Sequence, residues 1–312
     1  MYKTILITGA TGFLGSHLCN FFQKSGYHII GLKRSTSDIS RLNEKSNSIQ
    51  WINCDTDFFA DEIVSYSPNI VIHCAWDGVS SSERDSLPKQ IKNLELLAKI
   101  LAVLPRVNVQ KFIGLGSQAE YGFLDKIAFE DQVLAPHEAY GKVKVLANEL
   151  TRLFCTSKFI QWYWLRVFSV FGENESESWL IPSLIKRIVN NESSIAFSSA
   201  TQKVAYIYIE DFVKLIAKIV EKEEDCSGVY NISGDHLVSI RSLIEKIVIT
   251  ANASSCELKF GAISLRHNQS TLLQGNMDRF ASSFGLPEFS NFDLNLKKVV
   301  KHYVEHFTGL LK

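Results

Sequence analysis

The sequence carries no net charge: lysine plus arginine and aspartate plus glutamate stand at 33 each. A balanced chain offers no global field to a polyanion, so neither nucleic acid nor an anionic membrane surface is expected as a partner, and recognition has to be local. There is no apolar run near the roughly 20 uncharged residues of a spanning helix. The N-terminus passes from MYKT straight into a strand-like run, without the pattern of a signal peptide. Cysteine is sparse and unpatterned, at 19, 54, 74, 155, 226 and 256, with no C-x-x-C pair and no histidine at zinc-finger spacing. No metal site is therefore expected, the thiols read as small buried hydrophobes, and a reducing cytoplasm is the expected location. Internal repeats and low-complexity linkers are also missing. What the 312 residues do contain is 46% hydrophobic and 21% charged side chains, enough for a sizeable core in one large unit or two closely joined domains.

Over the first half, short apolar runs alternate with helical patterns: KTILIT, HIIGL near 28–32, SIQWINC near 48–54, NIVIHC near 69–74, KFIGLG near 111–116 and FIQWYWLRV near 159–167. Strands apolar on both faces and separated by helices predict a doubly wound α/β fold, a parallel sheet covered on both sides. One helix is marked by Ile91, Leu94, Leu97, Leu101 and Leu104 before Pro105. After about residue 168 the strands become shorter and the helices separate, which predicts a dinucleotide-binding unit over 1–168 and a smaller α/β substrate-binding unit over 169–312, with a return to the first near 205–220. The serine-rich SSSERDSL at 80–87 reads as a surface loop.

Two constellations carry chemistry. In ILITGATGFLGSHL, glycines at 9, 12 and 15 end the first strand and open a helix. Turns use glycine without any ligand, but this strand-turn-helix setting at the head of βα units is the one a dinucleotide pyrophosphate requires. In APHEAYGKVKVLANEL, Tyr140 and Lys144 stand one turn apart on a helix and share a face. A nearby ammonium in a partly dry cleft would lower a phenol toward neutrality, so that it exchanges a proton with a carbonyl or alcohol oxygen. Ser117, in GLGSQAEYG, falls at the carboxyl edge of the fifth strand, where ligands bind in open α/β sheets.

Glycine triplet, serine and Y-x-x-x-K together resemble the extended short-chain dehydrogenase/reductase family, the nucleotide-sugar epimerases, dehydratases and reductases. The resemblance covers nearly the whole chain through VIHCAW at 71–76, Asn93, LRVFSVFG at 165–172, YIYIEDF at 206–212 and GVYNISG at 228–234. It implies that Gly9, Gly12 and Gly15 hold a pyrophosphate, with Thr11, Phe13, Leu14 and Ala75 beside them, and that Asp55 approaches the adenine. It further implies that Asn93 supports the cofactor, Lys144 holds the nicotinamide ribose, Tyr140 is the acid/base and Ser117 bonds the reacting oxygen. Asp55 as a local cap, Asn93 bonded only to backbone and His73 as a structural histidine remain open beside these roles. Trp162 and Trp164 read as strand packing. The family's dimers pair through helices such as those at 89–104 and 138–154, so a homodimer is open.

The sequence also departs from the pattern. Ser169 stands where a substrate asparagine is usual, and Val204 where an arginine is expected, with Lys203 one place off. Arg166, Lys203 and Arg266 are then the candidate partners of a substrate diphosphate, with Gln118 and Ser169 the other substrate contacts. The second strand ends in Lys33 and Arg34, which suit a 2′-phosphate and favour NADP; NAD is the alternative, served by Asp38. The family's dehydratases carry an acidic pair directly after the catalytic hydroxyl, whereas here Gln118 and Ala119 follow Ser117, and Glu120 would have to rotate into that role. Ketoreduction or epimerisation is left. The HCAW and GSQAEYG variants are similar to those of CDP-abequose synthase-like 4-ketoreductases, which points to reduction of a 4-keto-6-deoxyhexose. A 4-epimerase holding NAD and a catalytically silent dinucleotide sensor are the alternatives.

Overall fold

A computed structural model describes residues 3–42, 48–253, 256–265 and 268–310. The chain runs β1 (Thr4–Thr8), α1 (Phe13–Lys24), β2 (His28–Lys33), β3 (Gln50–Asn53), α2 (Phe59–Tyr66), β4 (Ile70–His73), α3 (Leu87–Val103), β5 (Lys111–Ser117), α4 (Ala139–Ser157) and β6 (Gln161–Val167). It continues through β7 (Ser169–Phe171), α5 (Leu180–Val189), β8 (Ser194–Ala196), β9 (Lys203–Tyr208), α6 (Ile209–Glu221), β10 (Gly228–Ile232), β11 (His236–Ser239), α7 (Ile240–Thr250), β12 (Glu257–Lys259), β13 (Leu272–Leu273), α8 (Asp278–Phe284) and α9 (Phe292–Phe307).

Seven strands form the main sheet in the order β3-β2-β1-β4-β5-β6-β10, every neighbouring pair parallel. Along β1, Ile5 and Ile7 enter the apolar core on one face and Leu6 the core on the other, as the two-residue period of a strand dictates. On the Leu6 side lie α2, α3 and α4, contributing Ile63, Leu97 and Ala147; on the Ile5 side lie α1 and α6, contributing Phe22 and Phe212. The chain winds from β1 out to β3, then crosses back to lay β4 against the other side of β1. Diverging connections open a crevice at the carboxyl ends of β1 and β4, the topological switch point where such sheets bind ligands.

The boundary expected at 168 does not partition this sheet. Gly228–Ile232, read from sequence as part of the second unit, pairs with β6 from Gly228 opposite Tyr163 to Ile232 opposite Val167. The physical reason is the sheet's edge: β6 is apolar on both faces, and β10 satisfies the backbone groups it would otherwise leave open. Around 205–220 the chain forms β9 and α6; β9 belongs to a small sheet with β7, β11 and β13, while α6 packs on α1. One apolar cluster joins Ile5, Ile7 and Phe22 to Leu184, Leu243 and Val299, so residues on both sides of 168 share a core. No helix among the described residues is long and apolar enough to cross a membrane.

Candidate active site

β1 ends at Thr8 because the next residue turns left: Gly9 has φ +64°, and a Cβ there would stand 2.9 Å from the backbone of Ala75. A Cβ on Gly15 would lie 2.1 Å from the Gly9 carbonyl oxygen, so this glycine lets α1 close onto the loop. Gly12 is the N-cap of α1; no side chain caps the helix and its first turn holds no acid. A helix N-terminus left uncapped by side chains and opening on a cavity suits an anion such as a pyrophosphate. Thr8 steadies the loop from below. Its Oγ1 accepts from Ala75 N at 3.1 Å and shares a hydrogen bond of 2.9 Å with His73 Nδ1. His73 is buried, and burial lowers its pKa to about 3, which fits the structural reading of this residue.

Ser117 closes β5 and caps a short 3-10 helix, Gln118–Tyr121. Its Oγ accepts from Ala119 N at 3.2 Å, and Glu120 Oε1 accepts from Ser117 N at 2.8 Å. Glu120 cannot rotate into the cleft. It is fully buried, and its two oxygens accept from Ser117 N, Trp164 Nε1 at 2.9 Å and Arg166 Nε at 2.9 Å. Arg166, expected at a substrate diphosphate, is corrected by the same network. Its guanidinium also donates from Nη1 to Tyr121 Oη and to the Glu130 carbonyl, 3.0 Å each, and only 3% of the residue is exposed. A buried carboxylate demands a buried cation, and Glu120 takes the arginine that sequence alone leaves free. Trp164, fully buried, packs as a strand residue and spends its one donor on this carboxylate.

On α4, Tyr140 and Lys144 face a cavity of about 480 Å³ that is also lined by Gly9, Gly12, Phe13, Leu14, Gly15, Ser117 and Gln118. The Ser117 side chain faces the same cavity from the end of β5. Arg84, from the serine-rich loop, pairs with Glu138 at 2.8 Å and lies 4.6 Å from the centroid of the Tyr140 ring. The expectation that Lys144 draws the phenol toward neutrality meets an opposing effect. Burial raises the Tyr140 pKa, with the Ser117 hydrogen bond and the Arg84 charge working against it. Lys144 is itself buried, its pKa lowered to about 7 by desolvation; Nζ donates to the Leu115 carbonyl at 2.5 Å and lies 5.8 Å from the Tyr140 ring centroid. In the protein alone the phenol is therefore held protonated.

The remaining expected residues divide. Ser169 lines the cavity beside its register partner Tyr206. Ala75 forms the wall opposite Gly9, and Thr11 lies in the turn before α1. Lys33 ends β2 and Arg34 follows it, exposed, with Nη1 3.8 Å from Asp77 Oδ2. Asp38 is turned onto Ser40, and the Asp55 carboxylate accepts from Ser35 N and Oγ, tying the end of β3 to the loop after β2. Asn93 follows the backbone reading: its amide accepts from Asp77 N at 2.8 Å and donates to the Asp77 carbonyl at 3.0 Å. Lys203 is exposed at the start of β9, outside the cavity lining, so its place as a diphosphate partner is corrected too: its register partners Ser239 and Leu272 flank its backbone while the side chain stays in solvent. Arg266 lies outside the described residues.

Sequence reasoning missed Trp76, Arg84, Arg41, Glu175, Trp179 and Tyr206, all of which line the cavity. Trp76 stood within VIHCAW, three residues past the end of β4, and its position at a strand's carboxyl end was the signal available. The others come from loops and from β9, whose approach to the cleft follows only from tertiary packing.

Comparison with known proteins agrees with this geometry. The model of the NAD dependent epimerase/dehydratase family matches residues 5–233. The chain is 29% identical to CDP-abequose synthase of Salmonella muenchen over 281 residues, covering 86% of this chain and 87% of that one. In fold it is similar to a UDP-glucuronic acid 4-epimerase from Bacillus cereus, with TM-score 0.87, 22% identity and coverage of 97% and 100%. It is similar in the same way to a dTDP-glucose 4,6-dehydratase from Streptomyces venezuelae, with TM-score 0.86, 16% identity and 98% of each chain covered.

Proposed function

From the premise that this chain belongs to the NAD dependent epimerase/dehydratase family and is an enzyme of the extended short-chain dehydrogenase/reductase type, we propose that it reduces the C4 ketone of a nucleotide-diphosphate-linked 6-deoxyhexose with NADPH. The observation that carries this reading is the Tyr140 phenol, held protonated by burial, in one cavity with Ser117, Lys144 and the glycine loop. A dinucleotide bound there supplies hydride. Tyr140 donates the proton that neutralises the developing alkoxide, Ser117 hydrogen-bonds the same oxygen, and Lys144 stands one turn below to hold ribose hydroxyls. Gly9, Gly12 and Gly15, with the first turn of α1, hold the pyrophosphate, while Lys33 and Arg34 meet a 2′-phosphate, and Asp38, spent on Ser40, offers the ribose of NAD no carboxylate.

Dehydration is disfavoured by the same geometry, because Gln118 and Ala119 bring no carboxyl group and Glu120 is buried in its ion pair. With Arg166 and Lys203 removed from the substrate diphosphate, Arg41 and Arg84 are the cavity-lining cations other than Lys144 and are its candidate partners, alongside Gln118 and Ser169. On the outer surface, Ile91 of α3 and Leu146, Leu150 and Leu153 of α4 are exposed, and two copies pairing through this stripe make the homodimer we favour. The test is spectrophotometric. The purified chain is expected to consume NADPH in the presence of a nucleotide 4-keto-6-deoxysugar; firmly held NAD released on denaturation, with no turnover of added NADPH, would establish the 4-epimerase instead.

A further inference from the structure

One cavity residue is left without a role by the proposed chemistry. The indole of Trp76 stands where β4 gives way to its loop, and the Lys144 ammonium nitrogen lies 3.5 Å from the centroid of its ring. The same indole meets the Tyr140 ring edge-on, at 6.2 Å between centroids and 86° between planes. Its orientation is fixed from behind: Nε1 donates to Gln90 Oε1 at 2.8 Å, and the fully buried Gln90 donates in turn to the Gly78 carbonyl at 2.8 Å. Gly78 has φ +74° and lies so close that a Cβ there would come within 2.7 Å of Gln90 Nε2. The side chain is thus held at its polar end and presents its π face to the ammonium. A π face attracts a desolvated cation more strongly than a hydrated one.

We propose that Trp76 is the positioning residue of Lys144: its indole face keeps the buried ammonium charged and aimed at the end of the cavity where Tyr140 and Ser117 stand, and so sets the upper pH limit of dinucleotide binding. This rests on the reading of the cavity as a dinucleotide site. The groups that face Lys144 from the surrounding elements are few. Glu120, below β5, and Cys74, after β4, favour its charged form, and His73 is neutral through burial. Tyr140 shares its helix, Arg84 covers the far side of the Tyr140 ring, and the Trp164 ring lies 5.9 Å away on β6. None brings a carboxylate into direct contact with the ammonium, whose nearest partners are the Leu115 carbonyl and the indole. Burial works against the charge, and the indole face and the Leu115 carbonyl are the counterweights in direct contact with it. Without it the ammonium loses its proton at lower pH.

The experiment uses the full chain with its lysines labelled with carbon-13 at Cε, and follows those resonances from pH 5 to 10, Lys144 being assigned by its loss in Lys144→Arg. In the wild type the Lys144 methylene is expected to be shifted upfield by the indole ring current. Trp76→Leu abolishes that displacement and lowers the midpoint by on the order of one pH unit. Trp76→Phe, which keeps a weaker π face but cannot bond Gln90, falls between the two and serves if the leucine variant does not fold. Equal midpoints in the wild type and both variants overturn the proposal. NADPH and NADH affinities of the same proteins, measured by fluorescence across that range, are expected to decline at lower pH in the variants than in the wild type. Identical pH profiles overturn the link to dinucleotide binding. If the wild type binds neither dinucleotide, that link is likewise overturned together with the proposed function, whereas the lysine midpoints judge the indole-ammonium contact separately.

Discussion

Arg166→Met removes the cation from a carboxylate that has no access to water. Glu120 and Arg166 have 0% and 4% of their side chains exposed and lie 2.9 Å apart, and after the substitution Glu120 Oε2 keeps no charged partner while Oε1 keeps its two N–H donors. Breaking a buried pair from one side costs about 3–5 kcal/mol, a large share of the roughly 5–15 kcal/mol that holds a protein folded. At roughly 1.5 °C per kcal/mol for a chain of this length, the melting temperature should fall by about 5–8 °C. The loss should depend on pH, with a sign that follows from linkage. An uncompensated buried carboxyl has its folded pKa raised above the unfolded value, so it destabilises most at high pH and is relieved by protonation as pH falls. The deficit should therefore be larger at pH 8 than at pH 5. Adding Glu120→Gln removes the stranded charge while keeping an acceptor for Ser117 N and Trp164 Nε1, and should restore more than half of the lost stability. Differential scanning calorimetry of the three proteins at both pH values decides. A deficit below about 1 kcal/mol, or one that does not change with pH, would refute the buried ion pair and with it the reason Glu120 is not an acid for dehydration.

Three further outcomes follow from the same geometry. Gly15→Ala, whose Cβ would meet the Gly9 carbonyl oxygen at 2.1 Å, should abolish dinucleotide binding, whereas Gly12→Ala, facing that oxygen at 3.2 Å, should weaken it less; calorimetric titration with NADPH ranks them. Replacing Lys33 and Arg34 together by alanine should weaken NADPH about 10- to 100-fold and leave NADH nearly unchanged, if the pair meets a 2′-phosphate through charge-assisted hydrogen bonds. Glu175, whose Oε2 is buried without a partner, has its pKa raised to about 8 by desolvation, so its contribution to stability declines as pH climbs from about 4.5 through about 8. Glu175→Gln should accordingly stabilise the protein by about 1–3 kcal/mol at pH 9 and by little at pH 4, as read from urea unfolding.

The sheet was legible because its strands are short, apolar and separated by helical periods: all six runs named over the first half are strands, and the helix read from Ile91 to Leu104 is Leu87–Val103 with a short 3-10 turn after it. The glycine loop, Ser117, Tyr140 and Lys144 could be placed because each lies at a strand end or on a helix that a local pattern defines. Arg166 shows where such reading stops. A strand position reveals that a side chain faces one side of the sheet, but not that a buried carboxylate from the next loop claims it. Gly228–Ile232 was similarly misplaced because a seventh strand joins by long-range pairing, to which local composition is blind. The lowered phenol was expected from spacing alone; the structure adds the burial that works against it.

The most direct measurement of the central claim is the loss of absorbance at the nicotinamide band when wild type and Tyr140→Phe are each given NADPH with a panel of nucleotide 4-keto-6-deoxyhexoses. Removing a general acid costs about 10²- to 10⁴-fold in rate, so the wild type should turn over at least one member of the panel, and the variant should bind NADPH normally yet reduce that substrate slower by that factor. Equal rates for the two proteins would contradict the account, because the phenol that shares the cavity with Ser117 would then have no part in the chemistry.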